Sequence, residues 1–207
     1  MAISSPMTTQ EARRTVTRAQ LIASARSLFG SRGYDSTSTN DVLDAAGLSR
    51  GALYHHFGSK EDLFLAVFLD VEADIGKVVE EAALRQEDPL SRLRAGCLAW
   101  LEMGQRSEIQ RIALIDAPSV LGWSRTRQID VEQVVGGLTH AVRALAPRSG
   151  IPDELVEPLA HMLRASMDEA VLYSGDRPEP DRLQRTAAAV ELLIARLVDP
   201  GNAGTAE

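Results

Sequence analysis

The chain has 207 residues, a formal net charge of −7, 44% hydrophobic residues and only 4% aromatics. This length can bury a sizeable core as one generous domain or two smaller ones, and the Ala- and Leu-rich, aromatic-poor composition favours a helical protein over a sheet-rich or disordered one. No run of 18 apolar residues occurs, the N-terminus MAISSPMTTQEARR is polar where a secretory core would sit, and the single Cys97 excludes an internal disulfide or a multi-cysteine zinc site. A cytoplasmic protein without a membrane span is expected, with Cys97 in its core.

The charge is unevenly spread. Residues 1–60 carry seven Lys and Arg against four Asp and Glu, leaving +3, and the remainder carries 15 against 25, leaving −10. A basic module is followed by an acidic one, so the acidic total does not exclude a polyanionic partner.

Leu21, Ile22, Ala25, Leu28 and Phe29 share one face of a helix expected over residues 11–32, with Gly33 suited to the left-handed stop. Ser38 with Asp41 three residues on forms a short-armed capping box. It opens a short helix through Val42, Leu43, Ala45 and Ala46 that ends at Gly47. Ser49 caps the next helix, residues 50–57, so a short helix, a glycine turn and a second short helix make a helix-turn-helix. Ser59 and Asp62 then begin a helix to about residue 82, long enough to connect the two modules.

Asp88 and Pro89 open a fifth helix through Leu93, Cys97, Trp100 and Leu101. Residues 107–123 predict a short helix broken at Pro118 and Gly122, residues 124–146 a longer one, and 147–154 the clearest loop. Helices are expected over 153–174, started or kinked by Pro158, and over 180–198. In the last, Leu183, Ala187, Val190, Ile194 and Leu197 form a seam suited to a helical partner. Both ends, residues 1–10 and 199–207, are expected to be disordered.

The stretch LSRGALYHHFGSKEDLF, residues 48–64, carries the functional signal. On a helix at about 100° per residue, Leu53 points inward with Phe57 and Ser49 beside it. Gly51, Tyr54 and His55 then point outward, and Arg50 and His56 lie on the borders. Gly51 and Ala52 leave the backbone uncovered, as close approach to a major groove requires. Arg50 can form a bidentate bond to guanine, and Tyr54, His55 or His56 and Lys60 can reach phosphates. Ser38, Thr39 and Asn40 add donors at a helix start that favours phosphate. With Ser49, these residues make the expected DNA-contact set.

Residues 21–64 closely resemble the DNA-binding domain of the tetracycline-repressor (TetR) family. Gly33-Tyr34, Ala46-Gly47-Leu48-Ser49, Leu53-Tyr54, His56-Phe57 and Ser59-Lys60 match its pattern in order and spacing; His55 does not. The resemblance implies an all-α homodimer of about nine helices per subunit, without a cofactor. An N-terminal helix-turn-helix domain (11–60) would be followed by a C-terminal effector-binding and dimerisation domain (61–199), with repression relieved by a small molecule. LIDAPSVLGW, residues 114–123, resembles one subgroup of these C-terminal domains. Leu43 and Thr39 depart from the pattern, so the packing of the second helix is expected to be adjusted.

For the effector pocket, Trp100, Met103, Arg111, Trp123, His140, His161, Met162, Met167 and Tyr173 are candidates, although Met and aromatic residues at helical spacing more often form core. No metal is expected at His55 and His56, because neighbours on a helix diverge and no HExxH or Cys/His spacing accompanies them. No nucleophile, base and orienter can be assembled, so an enzyme is not expected. Two rivals to a DNA-binding regulator remain: a helical ligand-binding protein that has lost DNA binding, and a metal enzyme built on the histidine pair.

Overall fold

A computed structural model describes residues 9–130, 136–175 and 179–198. Its regular elements among the described residues are all helices, with α1 (Thr9–Arg32), α2 (Thr39–Ala46), α3 (Arg50–His56) and α4 (Lys60–Leu84) in the N-terminal part. Next come α5 (Pro89–Met103), α6 (Ser107–Ile109), a π-helical stretch (Gln110–Asp116), α7 (Ala117–Val120) and α8 (Trp123–Asp130). The chain then forms α9 (Gly136–Ser149), α10 (Asp153–Gly175) and α11 (Arg182–Val198).

The three-helix head closes around Leu21, Ala25, Phe29, Val42, Leu53 and Phe64, each at most 1% exposed. Phe29, Tyr34 and Phe64 form a triangle of rings with centroids 5.1–5.6 Å apart, which ties the end of α1 to the start of α4. The α1 helix also fixes α2 directly, for Gln20 Nε2 donates to the last carbonyl of α2, at Ala46, at 2.7 Å. Leu43 is buried in this core and Thr39 is partly exposed, so the larger residue in α2 is accommodated inward.

Most boundaries arise from local chemistry. The Ser38–Asp41 capping box forms in both directions, and Ser49, Ser59 and Asp88 cap α3, α4 and α5. Gly33 and Gly47 adopt the left-handed φ values of 84° and 64° that end α1 and α2. Cys97 is buried and burial pushes its thiol up to about 12, so it is an inert part of the core.

Four expectations are corrected. Residues 9 and 10 belong to α1, while residues 1–8 and 199–207 lie outside the described residues. The 107–120 run is continuous through Pro118 and breaks only at Gly122 (φ 82°). There the π stretch ends: Ala117 N–H bonds Ile112 O, five back, whereas Leu121 N–H bonds Ala117 O, four back, and the proline's missing donor falls at this switch. Pro147 and Pro158 sit inside α9 and α10 on exposed positions, so neither proline marks a helix start and the loop shrinks to residues 150–152. Finally, Val190 and Ile194 are buried, with Leu183, Ala187 and Leu197 packed on the same core. The apolar stripe of α11 thus faces its own chain, packed on α5, α9 and α10. The helix expected over 124–146 is described as α8 and α9, and residues 131–135 lie outside the described residues.

Candidate nucleic-acid interface

Helix α3 is held by Leu53, fully buried, and Phe57, 5% exposed and in extended conformation, which stops the helix and turns its ring inward. Its other side is open. Arg50, Gly51, Tyr54 and His55 are exposed, Ala52 and His56 partly so, and Ser49, expected beside Leu53 on the inner side, is exposed as the N-cap. The Arg50 guanidinium lies 5.7 Å from the Tyr54 ring centroid, a pairing that pre-orients both side chains. A Cβ built on Gly51 would meet nothing within 4 Å, so packing does not require glycine there.

Ser38 and Asn40 are exposed at the start of α2, with Thr39 partly so. Ser38 is committed to its capping box: its Oγ accepts from Asp41 N–H at 3.1 Å and donates to Asp41 Oδ2 at 2.6 Å. These hydrogen bonds hold the Asp41 carboxyl below the usual carboxylate range.

The structure brings basic residues of α1 to this face. Arg18 places its guanidinium 5.2 Å from the Phe57 ring centroid, and burial, then the charges of His55, Arg14 and Arg18, hold the His56 imidazole below its ordinary value. The arginines of α1 therefore border the C-terminal end of α3. Lys60 is less free than expected: its Nζ donates to Tyr34 O at 2.6 Å and lies 3.9 Å from the Tyr34 ring centroid. Burial lowers its ammonium pKa, opposed by Asp35, Asp116 and Asp41.

The effector candidates are not gathered in one place. Trp100, Met103 and Met167 lie in the core, His161 is half-buried, and Arg111, Trp123, His140, Met162 and Tyr173 are exposed. A groove of about 650 Å³ runs along α1 past Arg14, Arg18, Ile22 and Arg26 to Glu108, and none of the candidates lines it. The interior instead holds a charged pair missed by the sequence reasoning. Arg164, only 9% exposed, pairs with Asp168 and lies 5.2 Å from the Trp100 ring centroid. Their four-residue spacing on α10 was the available signal. A second missed cluster is Arg26, which bonds Asp70, Asp74 and Glu108 at 2.5–2.7 Å. Burial disfavours its charge, but the bonds to Glu108, Asp70 and Asp74 outweigh that and raise its pKa.

Among the described residues, no group of three or more His, Cys, Asp and Glu is placed to hold a metal, and no helix is long and apolar enough to cross a membrane. Residues 21–67 match the family model described as bacterial regulatory proteins of the tetR family, and residues 90–197 match the tetracyclin repressor-like C-terminal domain. The transcriptional repressor AcnR of Corynebacterium efficiens is 38% identical over 185 residues, covering 86% of this chain and 93% of that protein. The transcriptional regulator AcrR of Shigella flexneri is 38% identical over 108 residues, but the chain spans only about half of its length (49%). A TetR-family regulator of Pectobacterium atrosepticum superposes with a TM-score of 0.75 at 34% identity, covering 93% of this chain and 98% of that one. With both halves of the chain matched in this way, the chain belongs to the tetR family of bacterial regulatory proteins, DNA-binding transcriptional regulators with an N-terminal helix-turn-helix.

Proposed function

We propose that the protein is a repressor that binds a pseudo-palindromic operator as a homodimer and is released by a small molecule bound in its C-terminal domain. The observation that carries this reading is the outer face of α3: Arg50, Gly51, Tyr54 and His55 stand exposed on a helix anchored by Leu53 and Phe57. In this reading α3 enters the major groove, and Arg50 reads a base, with Gly51 and Ala52 allowing close approach. Tyr54, His55, His56 and the hydroxyl- and amide-bearing starts of α2 and α3 (Ser38, Thr39, Asn40, Ser49) meet phosphates. Lys60 reaches a phosphate only while also holding the turn at Tyr34, so its substitution acts on both. Residues 11–60 form the reading head, and α4 connects it to the effector and dimer domain.

For the dimer, α10 exposes Leu155, Met162 and Tyr173, and α11 exposes Leu192 and Leu193, each between 44% and 65% exposed. On α11, Leu192 lies opposite the seam that packs inward and Leu193 on its flank, and together with the α10 side chains they suit a second copy. For the effector, Trp100, Met103 and Met167 offer interior apolar walls, with the Arg164–Asp168 pair as the polar element. Effector and operator then oppose each other reciprocally.

Unbiased selection of duplexes by the full-length protein tests the reading, combined with titration of the recovered duplex at several salt concentrations. An inverted repeat is expected, with affinity falling steeply as salt rises. Arg50→Ala should relax preference at one base pair per half-site by about 1–3 kcal/mol. Recovery of no preferred sequence defeats the DNA reading, and a single unrepeated half-site defeats the dimer.

A further inference from the structure

Both backbone groups of Tyr34, in the turn between α1 and α2, are held from outside that turn. Its carbonyl accepts from Lys60 Nζ at 2.6 Å, and its N–H donates to Asp116 Oδ2 at 2.8 Å, 82 residues away at the end of the π stretch. Next to it, a Cβ on Gly33 would stand 3.2 Å from the Arg111 guanidinium and 3.6 Å from Asp116 Oδ2, so both side chains come close to this turn. Arg111, a pocket candidate from its sequence, thus lies against the reading head.

The same run grips the head a second time. Eight residues before Asp116, Glu108 Oε1 accepts from Arg26 Nε of α1 at 2.5 Å. Between the two attachments lies the whole π stretch, Gln110–Asp116. A π-helical turn is a rare register found frequently at functional sites, and its return to α geometry would rotate the C-terminal end of the stretch by about one residue's 100°. That rotation carries the Asp116 carboxylate away from Tyr34 N–H.

We infer that Asp116 is a positioning residue for DNA reading: from the C-terminal domain it fixes the α1–α2 turn, and through Ser38 the start of α2, in the register set by the π stretch. The inference rests on α2–α3 being the DNA reader, and it gives the C-terminal domain a route to the head besides α4. Tyr34 connects to the start of α2 within four residues, because Thr37 N–H bonds Tyr34 O at 3.2 Å and Thr37 Oγ1 bonds Gly33 O at 2.8 Å. Displacement of Tyr34 is therefore passed to Ser38 and the N-terminal amides it caps.

The experiment compares wild type, Asp116→Ala and Asp116→Asn as full-length proteins. The readouts are affinity for the duplex recovered by selection, affinity for a scrambled duplex, and hydrogen exchange at the Tyr34 amide. Asp116→Ala should lose at least about tenfold in affinity for the selected duplex, the worth of one hydrogen bond to a charged group, with little change for the scrambled one. Its Tyr34 amide should exchange faster, and Asp116→Asn, which keeps an oxygen acceptor, should fall between. Equal loss on both duplexes, or wild-type affinity in Asp116→Ala, overturns the inference. If Asp116→Ala does not fold, Asp116→Asn carries the test alone, and wild-type affinity together with wild-type exchange there overturns it. A wild type that selects no duplex, yet protects the Tyr34 amide, defeats the DNA reading and this role with it, while leaving the contact itself intact.

Discussion

The head and the C-terminal body are built from the same kind of helix but held in different ways. In the head, α2 and α3 are eight and seven residues long, too short to stand alone, and each is fixed at its start by a serine three residues from the amide it caps. In the body, α6 begins without a side-chain cap, two helices run through a proline, and charged side chains such as Arg164 are buried in the middle of α10. The boundaries of α2 and α3 are thus set by neighbours in the chain, whereas α6 starts without such a local signal. Recognition of DNA demands a fixed geometry whatever else varies, and the local caps of α2 and α3 help to supply it.

The largest effect that tests this contrast is on stability. If the two regions differ in how they are specified and not in how tightly they pack, Leu53→Ala in α3 and Ile194→Ala in α11 should each cost about 2–5 kcal/mol in urea unfolding, since both side chains are fully buried. Ile194→Ala also checks the direction of the α11 stripe, because a loss that is independent of protein concentration means the side chain packs within its own chain. A cost under about 1 kcal/mol for Ile194→Ala, beside a large one for Leu53→Ala, would break the comparison and mean a loosely packed body.

This contrast explains what was legible. Every boundary from Ser38 to Ser59 could be read because cap, glycine and apolar spacing lie within a few residues of each other. The outer face of α3 was set by helix geometry once Leu53 was placed inward. The α11 stripe was equally visible, but spacing says only that a face is covered, and whether by its own chain or a partner depends on packing angles. Pro118 misled because a helix with uniform four-residue bonding was assumed, and the π stretch removes that assumption. The Arg26 cluster joins residues 44, 48 and 82 positions away. The four-residue spacing of Asp70 and Asp74 puts two carboxylates on one face of α4, but nothing local to them points to Arg26 as the cation between them.

A smaller effect isolates the local side of the contrast. Ser38→Ala removes the cap of α2 and should cost about 1 kcal/mol, measured by chemical unfolding at neutral pH. Because Asp41 is held below the usual carboxylate range by Ser38, its contribution is present above the ordinary carboxylate pKa and is lost as pH falls through the lowered one. Below that range the difference between wild type and Ser38→Ala should narrow to what the Ser38 Oγ–Asp41 N–H bond supplies, because that bond does not titrate. A constant difference down to strongly acid pH would mean that the serine acts without the reciprocal bond.

The smallest effect concerns charge at the edge of the head. In the free protein burial, then His55, Arg14 and Arg18, depress the His56 pKa, so the unfolded chain takes up this proton more readily and the group destabilises the fold as pH falls through its ordinary value. A DNA phosphate reverses the balance, for its negative charge favours the imidazolium that the arginines oppose. Operator binding should therefore take up a proton, and affinity should rise as pH is lowered from 8 to 6, by no more than about fivefold, the worth of one exposed charge pair. His56→Gln should flatten this rise, and His161→Gln in α10 should leave it untouched. An unchanged slope in His56→Gln would mean that the imidazole does not meet the backbone of the DNA, which would leave Arg14 and Arg18 as the basic border of α3.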